Sequence, residues 1–364
     1  MINYIIFLSI VILIVIIANI TKGKGFKNLK VIRELESDGV VEGEDFKISI
    51  IVENRKKFPI SFMLIKEVLP EDLIEGRNLN VTKYMVQGYE RVKKTYLLST
   101  EKRGTYLLRN MDITIGDIFG FFTSSEQMED YKELVVYPKI KKMKDLKFEN
   151  RGLQGDSIVK RWIHKDPLYI KGIRQYSIED RMKDIHWKSS LKMNKLMVKE
   201  YDYTSNRQFV IIMNVQCGEF YGNNINVKAV DEGIKVMVSL TNEVINEGVN
   251  VGLWTNANMI SYYKNTINEM KSSTSMKNVL EFCARMDYYA RKSFDEYLKS
   301  RIKYFNKNNI YVIVTPFLND NSVNLILKLR NRGFNIKIID VSPNLDVPHI
   351  RGVEKMSYRG EMNS

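Results

Sequence analysis

The rhythm of hydrophobic and polar positions changes several times along this chain, and each change predicts a different kind of element. From Ile2 to Ile20, nineteen residues carry no charge; at ~1.5 Å rise per residue such a run spans about the ~30 Å hydrocarbon core of a bilayer. It predicts a transmembrane helix over 2–20. A cleaved signal peptide is the alternative, but no basic region precedes the run and no small-x-small site follows it. From about 31 to 138, short strand-like runs alternate with turn residues: Phe46–Asn54, Ser61–Pro70, Tyr89–Ser99, Gly104–Ile115 and Glu133–Pro138, with EGEDF (Glu42–Phe46) and EKRG (Glu101–Gly104) between them. Short strands at this spacing predict an antiparallel β-sandwich.

Over 139–206 the periodicity fails, and charged residues interleave with Trp162, His164, Tyr169, Tyr176, His186 and Trp187. This reads as a connecting segment. Arg207–Val215 then has the continuous apolar run of a strand buried on both faces. Val230, Ile234, Met237, Thr241 and Val244 recur at steps of three and four, which predicts an amphipathic helix over Val227–Glu247 ending at Gly248. Asn250–Thr255, Asn309–Pro316 and Phe334–Ser342 read as further strands. Asn321–Gly333 reads as a helix with an Asp320 or Asn321 cap and a Gly333 stop. Strands alternating with helices imply parallel pairing through crossovers, so 207–342 is expected to be a doubly wound α/β domain and 343–364 a tail. The expected fold class is therefore α+β and multidomain: a transmembrane helix, an antiparallel β-sandwich, then a doubly wound α/β domain.

Composition narrows the function classes. Of 364 residues 44% are hydrophobic, so a sizeable core is available and disorder is excluded. Cys217 and Cys283 stand far apart without C-x-x-C spacing, which suggests neither a disulfide framework nor a thiolate zinc site. Three histidines, His164, His186 and His349, make a multi-histidine metal centre improbable. The net charge of +13 allows an anionic lipid or nucleic-acid partner, but the basic residues are spread along a chain rich in Lys, Asn and Ile. The densest cluster, Pro138–Phe148, lacks the aromatic interleaving that stacks bases. Lys22, Lys24, Lys27, Lys30 and Arg33 follow the apolar run directly. Because cytoplasmic flanks hold excess positive charge, a single-pass cell-membrane protein with a cytoplasmic soluble part is expected.

The most specific string is IKGIRQYSIEDRMKDIHWKSSLKMNKLMVKEYD, Ile170–Asp202. It resembles the signature of the MoxR-associated bacterial family known as domain of unknown function 58. Arg174 and Tyr176 match the opening of that signature, Asp180 its acidic position, Ile185, His186 and Trp187 its central tripeptide, and Leu196, Val198 and Glu200 its close. Glu179 departs where Gly is usual, and Lys183 and Lys192 where Arg is usual; Lys keeps the charge but loses the bidentate fork. KRGTYLL (Lys102–Leu108) and GDIFGFF (Gly116–Phe122) also fit the family, so the resemblance covers nearly the whole chain. Many relatives carry two membrane segments near the N-terminus where this chain has one. The resemblance implies that the α/β domain is von Willebrand factor A-like and that the partner is a MoxR-type AAA+ ATPase.

Domains like von Willebrand factor A hold Mg²⁺ with Asp-x-Ser-x-Ser at the end of the first strand. Here that stretch is Asn214–Gly218, with Asn214, Gln216 and Gly218 replacing the carboxylate and both hydroxyls, so no metal or other cofactor is expected. Asp231 and Glu232 read as a solvated helix face. For the central segment two readings stay open. In one, Trp187 and Tyr176 bury aromatic area while Arg174 and Asp180 satisfy each other at a structural joint. In the other, Arg174, Tyr176, Asp180, His186 and Trp187 form a partner-binding surface, Arg, Trp and Tyr being the residue types that most often anchor interfaces. A hydrolase or transferase would need His186 beside Ser189 or Ser190 as base and nucleophile. The chain has neither a GxxxxGK[ST] loop nor a GxSxG elbow, which favours a non-enzymatic adaptor or assembly factor over that alternative. A basic lipid or nucleic-acid binder is the third reading; its binding would fall steeply with salt.

Overall fold

The computed structural model describes residues 25–37, 39–73, 81–116, 123–142, 170–177, 182–201, 208–222, 224–263 and 268–360, with positions 4, 6, 8, 9, 12, 146, 148, 162, 180, 265 and 266. Most of the predicted span 2–20, Lys22 and Lys24, the GDIFGFF string beyond Gly116, Glu179 and most of 143–169 lie outside these. The chain divides into two compact units, Met1–Pro138 with Ser261–Asn265, and Lys139–Ile260 with Thr266–Ser364.

The first unit holds ten strands among the described residues: β1 (Leu29–Leu35), β2 (Gly39–Val41), β3 (Phe46–Asn54), β4 (Ile60–Glu67), β5 (Val81–Val86), β6 (Arg91–Leu98), β7 (Gly104–Leu108), β8 (Met111–Gly116), β9 (Thr123–Met128) and β10 (Lys132–Tyr137). They form three sheets, β1-β3-β6, β2-β10-β7 and β5-β4-β8-β9. All neighbours pair antiparallel except β2 and β10, which run parallel. Alternation decides which side chains enter the core. In β8, Met111, Ile113 and Ile115 point inward while Asp112 and Thr114 stay half-exposed, and the inward set meets Ile50 and Val52 of β3 and Met63 and Ile65 of β4. A second cluster joins Phe46 and Ile48 to Leu108, Leu134 and Val136.

Arg33 breaks the alternation in a telling way. The sequence groups it with a juxtamembrane basic flank, yet it lies in β1 and is 1% exposed. Its Nε donates to Glu67 Oε1 at 2.9 Å, and one terminal nitrogen donates to the carbonyls of Arg109 (2.9 Å) and Asp130 (3.1 Å). The Tyr96 hydroxyl donates to the other oxygen of Glu67. Burial, reinforced by that carboxylate, pushes the Tyr96 and Tyr84 hydroxyls well above the usual tyrosine range.

The second unit holds β11 (Ile170–Gln175), α1 (Trp187–Met193), β12 (Met197–Tyr201), β13 (Gln208–Met213), α2 (Val227–Asn246), β14 (Asn250–Thr255), β15 (Ala257–Met259), β16 (Glu269–Ser273), α3 (Met276–Ala284), β17 (Met286–Ala290), α4 (Phe294–Arg301), β18 (Ile310–Thr315), α5 (Asp320–Asn331), β19 (Asn335–Asp340) and β20 (Glu354–Ser357). Six strands make one sheet in the order β16-β14-β13-β18-β19-β20. Side chains of β13 alternate between two cores: Ile211 and Met213 meet Val230, Ile234 and Met237 of α2, while Val210 and Ile212 meet Leu298 of α4 and Ile326 and Leu329 of α5. Gly248 and Gly333 follow α2 and α5 with φ of +78° and +90°, the left-handed conformation in which a side chain would be strained.

The expected fold class does not stand. Strands predominate, twenty against five α-helices among the elements whose bounds are described, and among the described residues no helix is long and apolar enough to cross a membrane. Of the predicted span, only Tyr4, Ile6, Leu8, Ser9 and Ile12 are described, all helical. The expected single-pass cell-membrane placement, with its cytoplasmic soluble part, loses its basis with that helix, and Arg33 leaves the charge cluster that oriented it. The C-terminal part is not a clear doubly wound, von Willebrand factor A-like domain either. Each parallel step of such a fold is made by a helical crossover. Here β16 joins the edge antiparallel, the pairs β11-β12 and β15-β17 stand outside the main sheet, and β19 reaches β20 with no helix between them. The stretch read as a tail, 343–364, carries β20, which pairs in parallel with β19.

Candidate functional site

The signature string folds as a two-stranded hairpin with a helix in its connection. β11 and β12 pair antiparallel with Arg174 opposite Val198 and Gln175 opposite Met197. The pairing continues as the Tyr176 N–H donates to the Leu196 carbonyl (2.9 Å) and the His186 N–H to the Met197 carbonyl (2.8 Å). Ile185 bridges to Val198, and both are buried. These two apolar side chains are the local anchor.

Five side chains were singled out from the sequence, and the structure gives them unequal roles. Arg174 grips Asp180 with both terminal nitrogens, at 2.7 and 2.5 Å. Asp180 also accepts the Ser177 N–H at 2.8 Å, while its own N–H donates to the Ser177 carbonyl at 2.9 Å. The pair therefore closes the turn that leaves β11, as a planar fork against a carboxylate does best. Tyr176 is half-buried beside it. His186 caps α1: its Nδ1 accepts the Ser189 N–H at 3.1 Å, satisfying one of the amides a helix start leaves without a partner. Asn194 ends α1 in the left-handed conformation, φ 50°.

Trp187 departs from the packing reading. It is 61% exposed, so less than half of its surface is packed. On the same β11–α1–β12 element Met182, Leu191, Met193, Leu196 and Ile173 are also exposed, Leu191 by 83% and Met182 by 73%. Sequence reasoning missed these companions. Trp187 and Leu191 stand four residues apart, hence neighbours on one helix face, and that spacing in the short run WKSSLKM was the available signal.

The two groups a catalytic reading would pair, the His186 imidazole and the Ser190 hydroxyl, are each engaged with backbone. The His186 Nδ1 is occupied by a backbone amide. The Ser190 hydroxyl donates to the His186 carbonyl (3.1 Å) and accepts the Met197 N–H (2.8 Å), so neither contact joins a hydroxyl to the imidazole as a nucleophile and base require.

At the ends of the parallel strands the amides form a closed network. Asn214 Nδ2 donates to Thr315 Oγ1 (2.9 Å) and the Phe317 carbonyl (2.8 Å), while Asn214 Oδ1 accepts Asn256 Nδ2 and the Gln216 N–H, both at 2.9 Å. Gln216 donates to the Gly218 carbonyl (2.7 Å) and accepts the Phe294 N–H (2.8 Å). Protein groups thus take up the positions where ligands to a cation would be sought. Glu232 is not on a solvated face: it is 7% exposed and accepts the Tyr358 hydroxyl at 2.9 Å. Asp231 accepts the Tyr288 hydroxyl at 3.0 Å. Among the described residues no group of three or more His, Cys, Asp or Glu is placed to hold a metal ion.

Residues 172–346 match the family described as Protein of unknown function DUF58, a span that takes in Arg174, Asp180, α1 and most of the main sheet. A protein of Bacillus subtilis (strain 168), named Uncharacterized protein YeaD, is 22% identical over 306 residues, covering 80% of this chain and 71% of its own. Among solved structures, the CARDB domain of a Pyrococcus furiosus protein, in complex with di-metal ions, is 11% identical with a TM-score of 0.22 over 30% of this chain and 94% of its own. The C-terminal domain of wzt is 12% identical with a TM-score of 0.23 over 31% of this chain and 75% of its own. At such scores these two likenesses carry no argument.

Proposed function

We propose that this chain is a non-enzymatic adaptor or assembly factor that engages a MoxR-type AAA+ ATPase through the β11–α1–β12 element. One observation carries the reading: Trp187 and Leu191, neighbours on one face of α1, are 61% and 83% exposed on an element whose backbone is tied by a bidentate ion pair and a capped helix. Exposed apolar groups clustered in this way mark interaction sites, and a rigid presenter lowers the ordering penalty on binding. Arg174 and Asp180 serve as positioning residues and Trp187 as the anchor. The ATPase as partner comes from the resemblance of the signature string.

The test is capture of the purified ATPase by the full chain. Trp187→Ala is expected to weaken capture by roughly thirtyfold, about 2 kcal/mol, the scale of an interface anchor. Arg174→Lys, which loses the fork but keeps the charge, is expected to weaken it less. Capture that is absent in the parent, or unchanged in Trp187→Ala, overturns the proposal.

A further inference from the structure

Beside the apolar row of α1 runs a second row of the opposite character. Lys188 and Lys192 are exposed and four residues apart, one position on from Trp187 and Leu191, so the two rows lie side by side at ~100° around the helix. Lys195, exposed and just past the left-handed Asn194, adds a third positive charge at the end of α1. From Ile185 to Lys199 the sequence contains no Asp or Glu, and none of Lys188, Lys192 and Lys195 forms an ion pair among the described residues. Like charges at this spacing oppose helix formation. The fold maintains them on a helix of only seven residues, held by the His186 cap, which is the arrangement expected where the compensating charge arrives with a partner.

Resting on the adaptor reading, we infer that α1 docks an acidic segment of the ATPase in which Asp or Glu residues flank apolar ones, the carboxylates meeting Lys188, Lys192 and Lys195 and the apolar side chains covering Trp187 and Leu191. Complementary charge beside a desolvated apolar centre supplies register as well as attraction. A nucleic acid fits less well, because successive bases need successive rings and Trp187 is followed along its row by Leu191, which offers none. An anionic bilayer fits less well too: interfacial helices are long enough to bury a continuous apolar face, and seven residues make about two turns.

The experiment uses the full chain and the purified ATPase, with vesicles of phosphatidylglycerol and phosphatidylcholine as a second probe. Lys188→Glu with Lys192→Glu is expected to weaken ATPase binding at least tenfold at low salt. The difference should shrink as salt approaches ~1 M, where the Debye length falls to ~3 Å. A photo-reactive phenylalanine analogue at position 191 is expected to cross-link to an ATPase peptide rich in Asp and Glu. Both positions are exposed, and an unchanged circular dichroism melt shows that the variants fold. If the parent binds the ATPase but the charge-reversed protein binds equally well, or the cross-link falls on a basic or neutral peptide, the inference fails while the adaptor reading survives. Binding to the vesicles but not to the ATPase overturns both.

Discussion

Truncating Trp187 separates a surface anchor from a packing residue, and the structure sets the magnitude. With 61% of the residue exposed, about 40% of a large aromatic surface of ~250 Å² is covered, some 100 Å², which at ~25 cal/mol/Å² limits the stability loss of Trp187→Ala to about 2.5 kcal/mol. The unfolded chain already buries part of that area, which lowers the figure to roughly 1.5–2 kcal/mol. Trp254 is the internal control. It is 5% exposed, packs edge-on to Phe305 at 5.5 Å between ring centroids and lies against Tyr311 at 5.9 Å, with the Arg301 guanidinium 4.7 Å above its ring. Trp254→Ala should therefore lose the ~3–5 kcal/mol typical of a buried Trp. Urea unfolding followed by circular dichroism compares the two without relying on tryptophan emission. The expected order is a large midpoint shift for Trp254→Ala and a small one for Trp187→Ala, with ATPase capture weakened roughly thirtyfold in the latter. Equal destabilisation by the two substitutions would show that Trp187 is a structural side chain and would remove the basis of the docking surface.

Three further outcomes follow from buried polar groups. Arg33→Ala strands the Glu67 carboxylate inside the first unit and should destabilise it by ~3–5 kcal/mol, whereas Arg33→Met with Glu67→Leu should recover most of that loss; an Arg33→Ala protein that melts like the parent refutes the buried pair. Asn214→Asp sets a carboxylate against the Phe317 carbonyl, so it should lose upwards of ~3 kcal/mol, with no gain of thermal stability when Mg²⁺ is added; a Mg²⁺-dependent rise in melting temperature counts against the closed network. Burial pushes the Asp295 carboxyl up, but hydrogen bonds from Lys299 and Ser293 and the Lys299 charge hold it, on balance, below the usual carboxylate range. A depressed folded-state value stabilises the fold above the unfolded value of ~3.9 and is lost as pH falls through the folded one. Asp295→Asn should therefore flatten the acid limb of a stability-against-pH curve, and an unchanged limb would show that the group contributes nothing there.

Individual elements were legible wherever one period dominated. Asn250–Thr255 and Phe46–Asn54 were read from the sequence with the bounds they have in the fold, because both are apolar runs or alternations bounded by Gly, Asn or Glu-rich turns. Val227–Asn246 was legible from its three-and-four spacing and its glycine stop. Topology was not. Glu269–Ser273, a polar strand of five residues, carries no apolar period to betray it, yet its antiparallel pairing changes the character of the sheet edge. Residues 343–364 looked featureless because β20 borrows its stability from β19 and from buried Met356 and Tyr358 rather than from a pattern of its own. Arg33 and Glu232 were misread for one reason: local sequence assigns a charge to solvent, and only a distant partner, Glu67 or Tyr358, makes its burial tolerable.

The candidate site shows the same limit from the other side. That Arg174 and Asp180 should satisfy each other was legible, since a turn of a few residues keeps them within reach. That Trp187 would be exposed was not, because sequence cannot tell a core aromatic from an anchor: the same side chain serves both. The difference lies in what the remaining elements do. The long strands of the second unit collect into the six-stranded sheet and spend their apolar faces on its two cores, leaving β11 and β12 as an isolated pair anchored by Ile185 and Val198. Among the described residues Trp187 and Leu191 stay exposed beside that pair, so substitutions that strengthen the sheet core are expected to leave their exposure unchanged.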